Sequence, residues 1–273
     1  MRDRLRQSLN IIFGILQLLT NAIGGAGLFG FPEVGSVSDN FYTYLIPAGY
    51  TFAVWAPIYI GLTVYMIYQA LPNQKERLIH RRIGWIAAWV ALGNAVWTPL
   101  FISGGTSPTF VVLIPSLVVI ALMLTGLAMI FVRLREMDNA LTVADRWCVQ
   151  IPFSGYYAWV TVATVINTVT MLMTLGNTND LLGIGGAMWS AILQMVAMLI
   201  AVSMIAYSRG NHGMVAYALV AIWAFVGVYN GNMPRAQIAG ISALIVVSII
   251  TLFALGRITL RMRLRSATQF AGA

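Results

Sequence analysis

Residues 237–256, QIAGISALIVVSIITLFALG, run for twenty positions without a charge, and the nine that follow, RITLRMRLR, carry Arg257, Arg261, Arg263 and Arg265. A helix rises 1.5 Å per residue, so about twenty apolar residues span the roughly 30 Å hydrocarbon core of a bilayer. The arginines then mark where such a helix meets water and anionic headgroups. Seven more runs of this kind precede it, near residues 9–30, 48–70, 83–102, 109–132, 148–175, 183–206 and 214–230. None alternates as a membrane β-strand would, and lipid admits only helices or closed barrels because backbone polar groups must be satisfied internally. The pattern predicts an all-α, polytopic membrane helix bundle of about eight transmembrane helices.

Composition points the same way. Of 273 residues, 59% are hydrophobic and 9% charged, where a soluble domain carries about 25% charged residues. The cations fall into alternate connections: Arg2, Arg4 and Arg6; Lys75, Arg77, Arg81 and Arg82; Arg133, Arg135 and Arg146; Arg209; and the tail beginning at Arg257. Only Arg235 lies on the opposite side. Because positive loops are retained in the cytoplasm, this split predicts a multi-pass integral membrane protein with both termini cytoplasmic, in the inner or plasma membrane if the source is bacterial. The same bias accounts for the net charge of +8 without nucleic acid, which is not an expected partner.

The chemistry carried at membrane depth is sparse. All eight acidic residues, from Asp3 to Asp180, fall in predicted loops or termini, which argues against ion-coupled transport, where an intramembrane charge is normally required. His80 and His212 stand singly in predicted loops, where they are expected to be solvated, so neither a metal nor another cofactor is expected. No nucleophile with a base and acid partner, and no carboxylate pair, presents itself, so the chain is not expected to be an enzyme. GAGLFG, residues 25–30, matches G-x-G-x-x-G, but it ends an apolar run instead of following a strand and reads as helix packing.

Aromatic and amide residues are the remaining signal. Trp85, Trp89 and Trp97 in the third run fall within an arc of about 120° on a helix, beside Asn94. Trp55 and Tyr59 in the second run flank Pro57, which is expected to bend that helix. Tyr156 and Trp159 in the fifth run precede Asn167 by about two turns or more. Tryptophan paired with a polar group on three helices predicts a cavity that selects flat, amphipathic guests through stacking and amide bonds, since apolar burial hardly discriminates among molecules arriving from lipid.

IPAGYTFAVWAPIYIGLTVYMIYQ, GNAVWTPLF and IPFSGYYAWVTVATVIN resemble the translocator protein or tryptophan-rich sensory protein family (TspO/MBR, peripheral benzodiazepine receptor-like), over about residues 9–175. The resemblance implies a five-helix core around a pocket for porphyrins, sterol-like lipids and synthetic aromatic ligands. It implies that Trp55, Asn94, Trp97 and Trp159 line the pocket, that Tyr50, Phe52 and Tyr59 lie near its mouth, and that the loop holding Asp39, Phe41, Tyr42 and Pro47 is its lid. Trp89, Tyr156 and Asn167 complete the ligand-binding set expected from the helical spacing.

Residues 1–182 are accordingly expected to form the ligand-binding core and 183–273 a three-helix extension with a basic tail. The extension could enlarge the pocket, seal a dimer face or pack as a separate unit; a homodimer is one partnership left open. The function expected is binding, with transport or sensing, of a tetrapyrrole or a sterol- or isoprenoid-like lipid. The alternative is a passive facilitator for a small neutral solute.

Overall fold

The computed structural model describes residues 1–25, 27–39, 43–106, 110–176 and 180–271. Within them the chain forms α1 (Arg2–Gly25), α2 (Val34–Asp39), α3 (Trp55–Ala70), α4 (Leu78–Thr106), α5 (Phe110–Glu136), α6 (Ile151–Gly176), α7 (Gly186–Tyr207), α8 (Asn211–Asn232) and α9 (Gln237–Ala271). Short turns and a two-residue hairpin, Asp180–Leu181 with Ile184–Gly185, complete these segments. Each apolar run in the sequence overlaps one of the long helices, and the architecture is a polytopic helical bundle.

Among the described residues, six segments are long and apolar enough to cross a membrane: Gly49–Ala70, Leu78–Ser103, Leu113–Glu136, Gly186–Tyr207, Asn211–Asn232 and Gln237–Leu264. Arg2–Gly24 meets that test only together with Leu28–Asp39, as a broken pair. α6 lies outside it for a physical reason. Residues 152–162 are buried on every side by other helices, so Ser154, Tyr156, Tyr157 and Thr161 are not presented to lipid and the helix can tolerate polar groups.

Packing sets the order. α3 lies on α1, α1 on α4, α4 on α5, α5 on α6, and α6 returns to α3, closing a five-helix ring. The remaining helices continue from α6 through α8 and α9 to α7, and one apolar core runs through both groups. α1 turns an inward stripe of small and polar residues into the ring: Arg6, Asn10, Gly14, Gln17, Asn21 and Gly24, at helical steps of three and four. Gly24 is needed there, since a Cβ would come within 2.8 Å of Thr98 and 2.5 Å of Ile102 of α4. Gly27 and Gly30, from the GAGLFG stretch, both take positive φ in the turn that follows α1, so the stretch ends a helix and does not open one over a phosphate.

Two local expectations are corrected. Pro57 does not bend a span, because residues 49–54 form a 3-10 stretch and the α-helix starts at Trp55. The proline therefore stands just past the junction of the 3-10 and α-helical parts of the segment Gly49–Ala70. His80 is not solvated: it is fully buried, with Nε2 3.1 Å from Gln74 Oε1 and its ring against Tyr65 and Tyr68.

The cations gather at one end of the bundle. Arg6 and Arg81 share Asp3, Arg82 meets Glu136, Arg133 donates to the Arg82 carbonyl, and Arg257 reaches Ala206. Arg235 instead lies over the Tyr44 ring, 5.9 Å from its centroid, by the first half of the chain's 43–48 segment.

Candidate functional site

A cavity of about 620 Å³ lies between α1 and the segment from Gly49 to Tyr59, within the roughly 300–1,000 Å³ usual for small-molecule sites. α1 contributes Leu18, Asn21 and Ala22; Phe52, Ala53, Trp55, Ala56 and Tyr59 face them, and Glu33, Val34 and Gly35 close one side. Ala22, Ala53 and Ala56 are exposed at its edge, so the cavity opens sideways between α1 and α3 past small side chains.

Phe52, Trp55 and Tyr59 line its inner side, and Tyr156 and Trp159, expected to line it, instead back these rings. Trp55 stacks on Tyr59, with centroids 5.0 Å apart and planes 8° from parallel. Trp159 meets Trp55 edge-on at 5.8 Å and Phe52 at 6.0 Å, and Tyr156 lies 6.1 Å from Trp55. Such edge contacts contribute about 0.5–1.5 kcal/mol each beyond area burial and fix the ring orientations. Helical spacing explains the set: Trp55 and Tyr59 are one turn apart on α3, and Tyr156 and Trp159 one turn apart on the buried face of α6.

A polar link runs behind these rings. Asn21 Nδ2 donates to Asn94 Oδ1 at 2.5 Å, Tyr59 Oη to the same oxygen at 3.5 Å, and Thr98 Oγ1 to Asn21 Oδ1 at 2.8 Å. Bonds of this kind between membrane helices contribute about 0.6–2 kcal/mol each. Trp159 Nε1 is a buried donor without an acceptor among the described residues.

The structure therefore brings together Phe52, Trp55, Tyr59, Tyr156 and Trp159, with Asn94 bonded to the group. Other expected residues lie elsewhere. Trp89 is 65% exposed and rests against Phe13 on the outside of the bundle, 6.3 Å away; Trp97 is buried and stacked on Phe101 at 4.8 Å. The two tryptophans thus face different neighbours, and no single aromatic wall with Trp85 exists on α4. Tyr50 turns away from the cavity toward α8, edge-on to Trp223 at 5.6 Å, and accepts a bond from Asn230 Nδ2 at 2.6 Å. Asn167 donates to Ala163 of its own helix.

The lid segment also behaves differently from the expectation. Phe41 and Tyr42 lie outside the described residues. Asp39 ends α2 and is exposed. Pro47 is buried, and the chain around it is tied to the extension: Asn232 Nδ2 donates to the Ile46 carbonyl at 2.8 Å, and the Ala48 N–H to the Gly227 carbonyl at 2.9 Å. Trp223 Nε1 donates to the Thr51 carbonyl at 2.9 Å, and Ser190 to that of Tyr44. The side of the cavity over α1 is formed instead by Glu33, Val34 and Gly35.

Sequence reasoning did not bring α1 into the site. Its signal was present, since Gln17 and Asn21 are amides one turn apart inside an apolar run, on the line that also carries Asn10 and Gly14. Among the described residues no group of three or more His, Cys, Asp or Glu is placed to hold a metal ion.

Comparison with curated proteins and with solved structures gives no match. The family model described as TSPO-like protein matches residues 7–256, and so runs past residue 175, where the sequence resemblance ends, through α7 and α8 into α9. An aromatic-walled cavity inside a polytopic helical bundle and a match over nearly the whole length lead to one assignment: the chain belongs to the TSPO-like protein family.

Proposed function

We propose that this protein binds a flat hydrophobic molecule, a tetrapyrrole or a sterol- or isoprenoid-like lipid, in the cavity between α1 and α3, and moves or senses it without turning it over. The stacked Trp55–Tyr59 pair lining that cavity carries the reading. A rigid planar guest can stack on this pair, whereas a flexible acyl chain loses conformational entropy for weaker contact.

Residues 1–182 serve as the binding core in this proposal, and residues 183–273 hold in place the 44–51 segment, whose Gly49 lines the cavity. Titration with protoporphyrin, followed by tryptophan quenching, tests the site. Trp55→Ala should weaken binding about tenfold, the loss of one stacking contact and its buried area. Trp89→Phe, on the outer face, should leave the affinity unchanged; equal affinities for wild type and Trp55→Ala would remove the cavity as the site.

The clustering of cations at one end supports an orientation with both termini cytoplasmic. In right-side-out vesicles, a cysteine replacing Arg263 in a Cys148→Ser background should resist a membrane-impermeant thiol reagent, and one replacing Arg235 should react. The reverse pattern would invert the topology.

A further inference from the structure

A second cavity, of about 670 Å³, lies at the arginine-rich end, where the end of α5 and the turn before α6 face the ends of α7, α8 and α9. Arg135, Arg146, Arg209, Arg257 and Arg261 line it, with one carboxylate, Asp138. That carboxylate is engaged, 3.1 Å from Arg146 Nη1 and 3.0 Å from Gln150 Nε2. Arg135, Arg209 and Arg257 form no ion pair among the described residues. Guanidinium groups crowded around one space repel each other, and a partly enclosed setting screens that repulsion less than open water does.

Arg146 is held by Asp138, Arg261 by Asn211 Oδ1 and the Ser208 carbonyl, and Arg135 and Arg257 are also held in place. The Arg135 guanidinium lies 3.7 Å over the Tyr207 ring, and its Nε donates to the Tyr207 carbonyl at 2.6 Å. Arg257 Nη2 donates to the Ala206 carbonyl at 2.9 Å, while its Nε is buried with no acceptor among the described residues. Each guanidinium has five N–H groups, so these bonds leave donors over. α8 also begins at this cavity: Gly210, its N-cap, provides no side-chain cap, and Gly210, Asn211 and His212 are in the lining. Uncapped first-turn N–H groups add a positive dipole end to the same space. Leu260 and Leu264 of α9 form an apolar edge beside it.

We propose that this cavity binds a phosphate-bearing anion of the kind an anionic phospholipid presents, with the headgroup among the arginines and the acyl chains along Leu260 and Leu264. The bound anion would join the five-helix ring to the last three helices, since α5 and the turn before α6 supply one wall and α7 to α9 the other.

Native mass spectrometry of the full chain in a neutral detergent, titrated separately with phosphatidylglycerol, phosphatidylcholine and inorganic phosphate, tests this. One phosphatidylglycerol should be retained at concentrations about tenfold or more below those phosphatidylcholine requires, the effect of a charge-assisted hydrogen bond. Arg135→Gln combined with Arg209→Gln should erase the preference. Arg82→Gln, which alters an exposed arginine at the same end, should preserve it. Displacement of phosphatidylglycerol by inorganic phosphate would identify the phosphate group as the part recognised, and phosphate binding without any lipid preference would assign the cavity to a free anion. On the unaltered protein, phosphatidylglycerol should slow hydrogen exchange severalfold in residues 211–214. Equal retention of the two lipids without phosphate binding, or a preference that survives the double substitution, overturns the proposal.

Discussion

Gly231→Val should weaken ligand binding at the aromatic cavity by more than about tenfold while leaving α8 helical. A Cβ at position 231 would stand 2.7 Å from the Ile46 carbonyl oxygen, 2.8 Å from the Ala48 nitrogen and 3.2 Å from the Pro47 carbonyl carbon. All three are backbone atoms, so no rotamer change relieves the contact. One turn earlier, a Cβ at Gly227 would fall 2.0 Å from Thr51 Oγ1 and 2.8 Å from Thr51 Cβ. The two glycines make a seat into which residues 46–51 press, tied down by Asn232, Trp223 and the Gly227 carbonyl.

Overpacking costs about 1–3 kcal/mol when side chains can yield. Here a main-chain segment must move and take its hydrogen bonds with it, so an effect of about 3 kcal/mol is expected. Gly49 within this segment and Phe52 and Ala53 immediately after it line the cavity, so the displacement reaches the ligand. Protoporphyrin affinity should fall by more than about tenfold, with far-UV circular dichroism retained. Gly256→Ala, at a position with no heavy atom within 4 Å of the added carbon, should change neither quantity appreciably. Unaltered affinity in Gly231→Val would show that the cavity wall does not depend on the extension.

The contrast between these residues and the tryptophans shows what one sequence carries. Runs of about twenty apolar residues locate the helices because bilayer thickness leaves little freedom. Trp55 with Tyr59 and Tyr156 with Trp159 could be paired because one-turn spacing puts both rings on one side of a helix. Which side faces the interior was not legible. A membrane helix is apolar all round, so periodicity does not separate lipid from core, and Trp89 and Trp97, eight residues apart on α4, came to face different neighbours. The polar stripe of α1 was readable, because an amide in an apolar run has few places to go but inward. Gly227 and Gly231 carry the small-xxx-small spacing of close approach, yet their partner, residues 46–51, lies some 180 positions away in the chain, and no local pattern links them.

Asp145→Asn should lower stability by about 3 kcal/mol, and only above the acid range. The Asp145 side chain is fully buried and receives five donors: Arg77 Nη1 and Nη2 at 2.7 and 2.6 Å, Tyr68 Oη at 2.9 Å, and the Thr142 N–H and hydroxyl at 2.9 and 2.7 Å. An asparagine of the same size can accept at one atom only, and its NH₂ opposes the remaining donors. Breaking a buried pair costs about 3–5 kcal/mol, and Arg77, whose side chain is 30% exposed, recovers some hydration and moves the effect to the lower end.

Burial raises the Asp145 pKa, but the donors from Arg77, Thr142 and Tyr68 outweigh it and hold the carboxyl below its ordinary value. The unfolded chain therefore takes up its proton first, at about pH 4. The stabilisation is fully present above that pH and is lost as pH falls through the folded pKa. The difference in stability between wild type and variant should accordingly be constant near neutrality and shrink on acidification. A difference that stays the same down to about pH 3, or one under about 1 kcal/mol at pH 7, would remove the ionised carboxylate as the organising group. The site depends on the same junction. Tyr68 ends the helix that carries Tyr59, Arg77 precedes the helix that carries Asn94, and Asp145 precedes the one that carries Trp159. In thermally intact variant protein, protoporphyrin binding should therefore weaken alongside the loss of stability, although no atom of the junction lines the cavity.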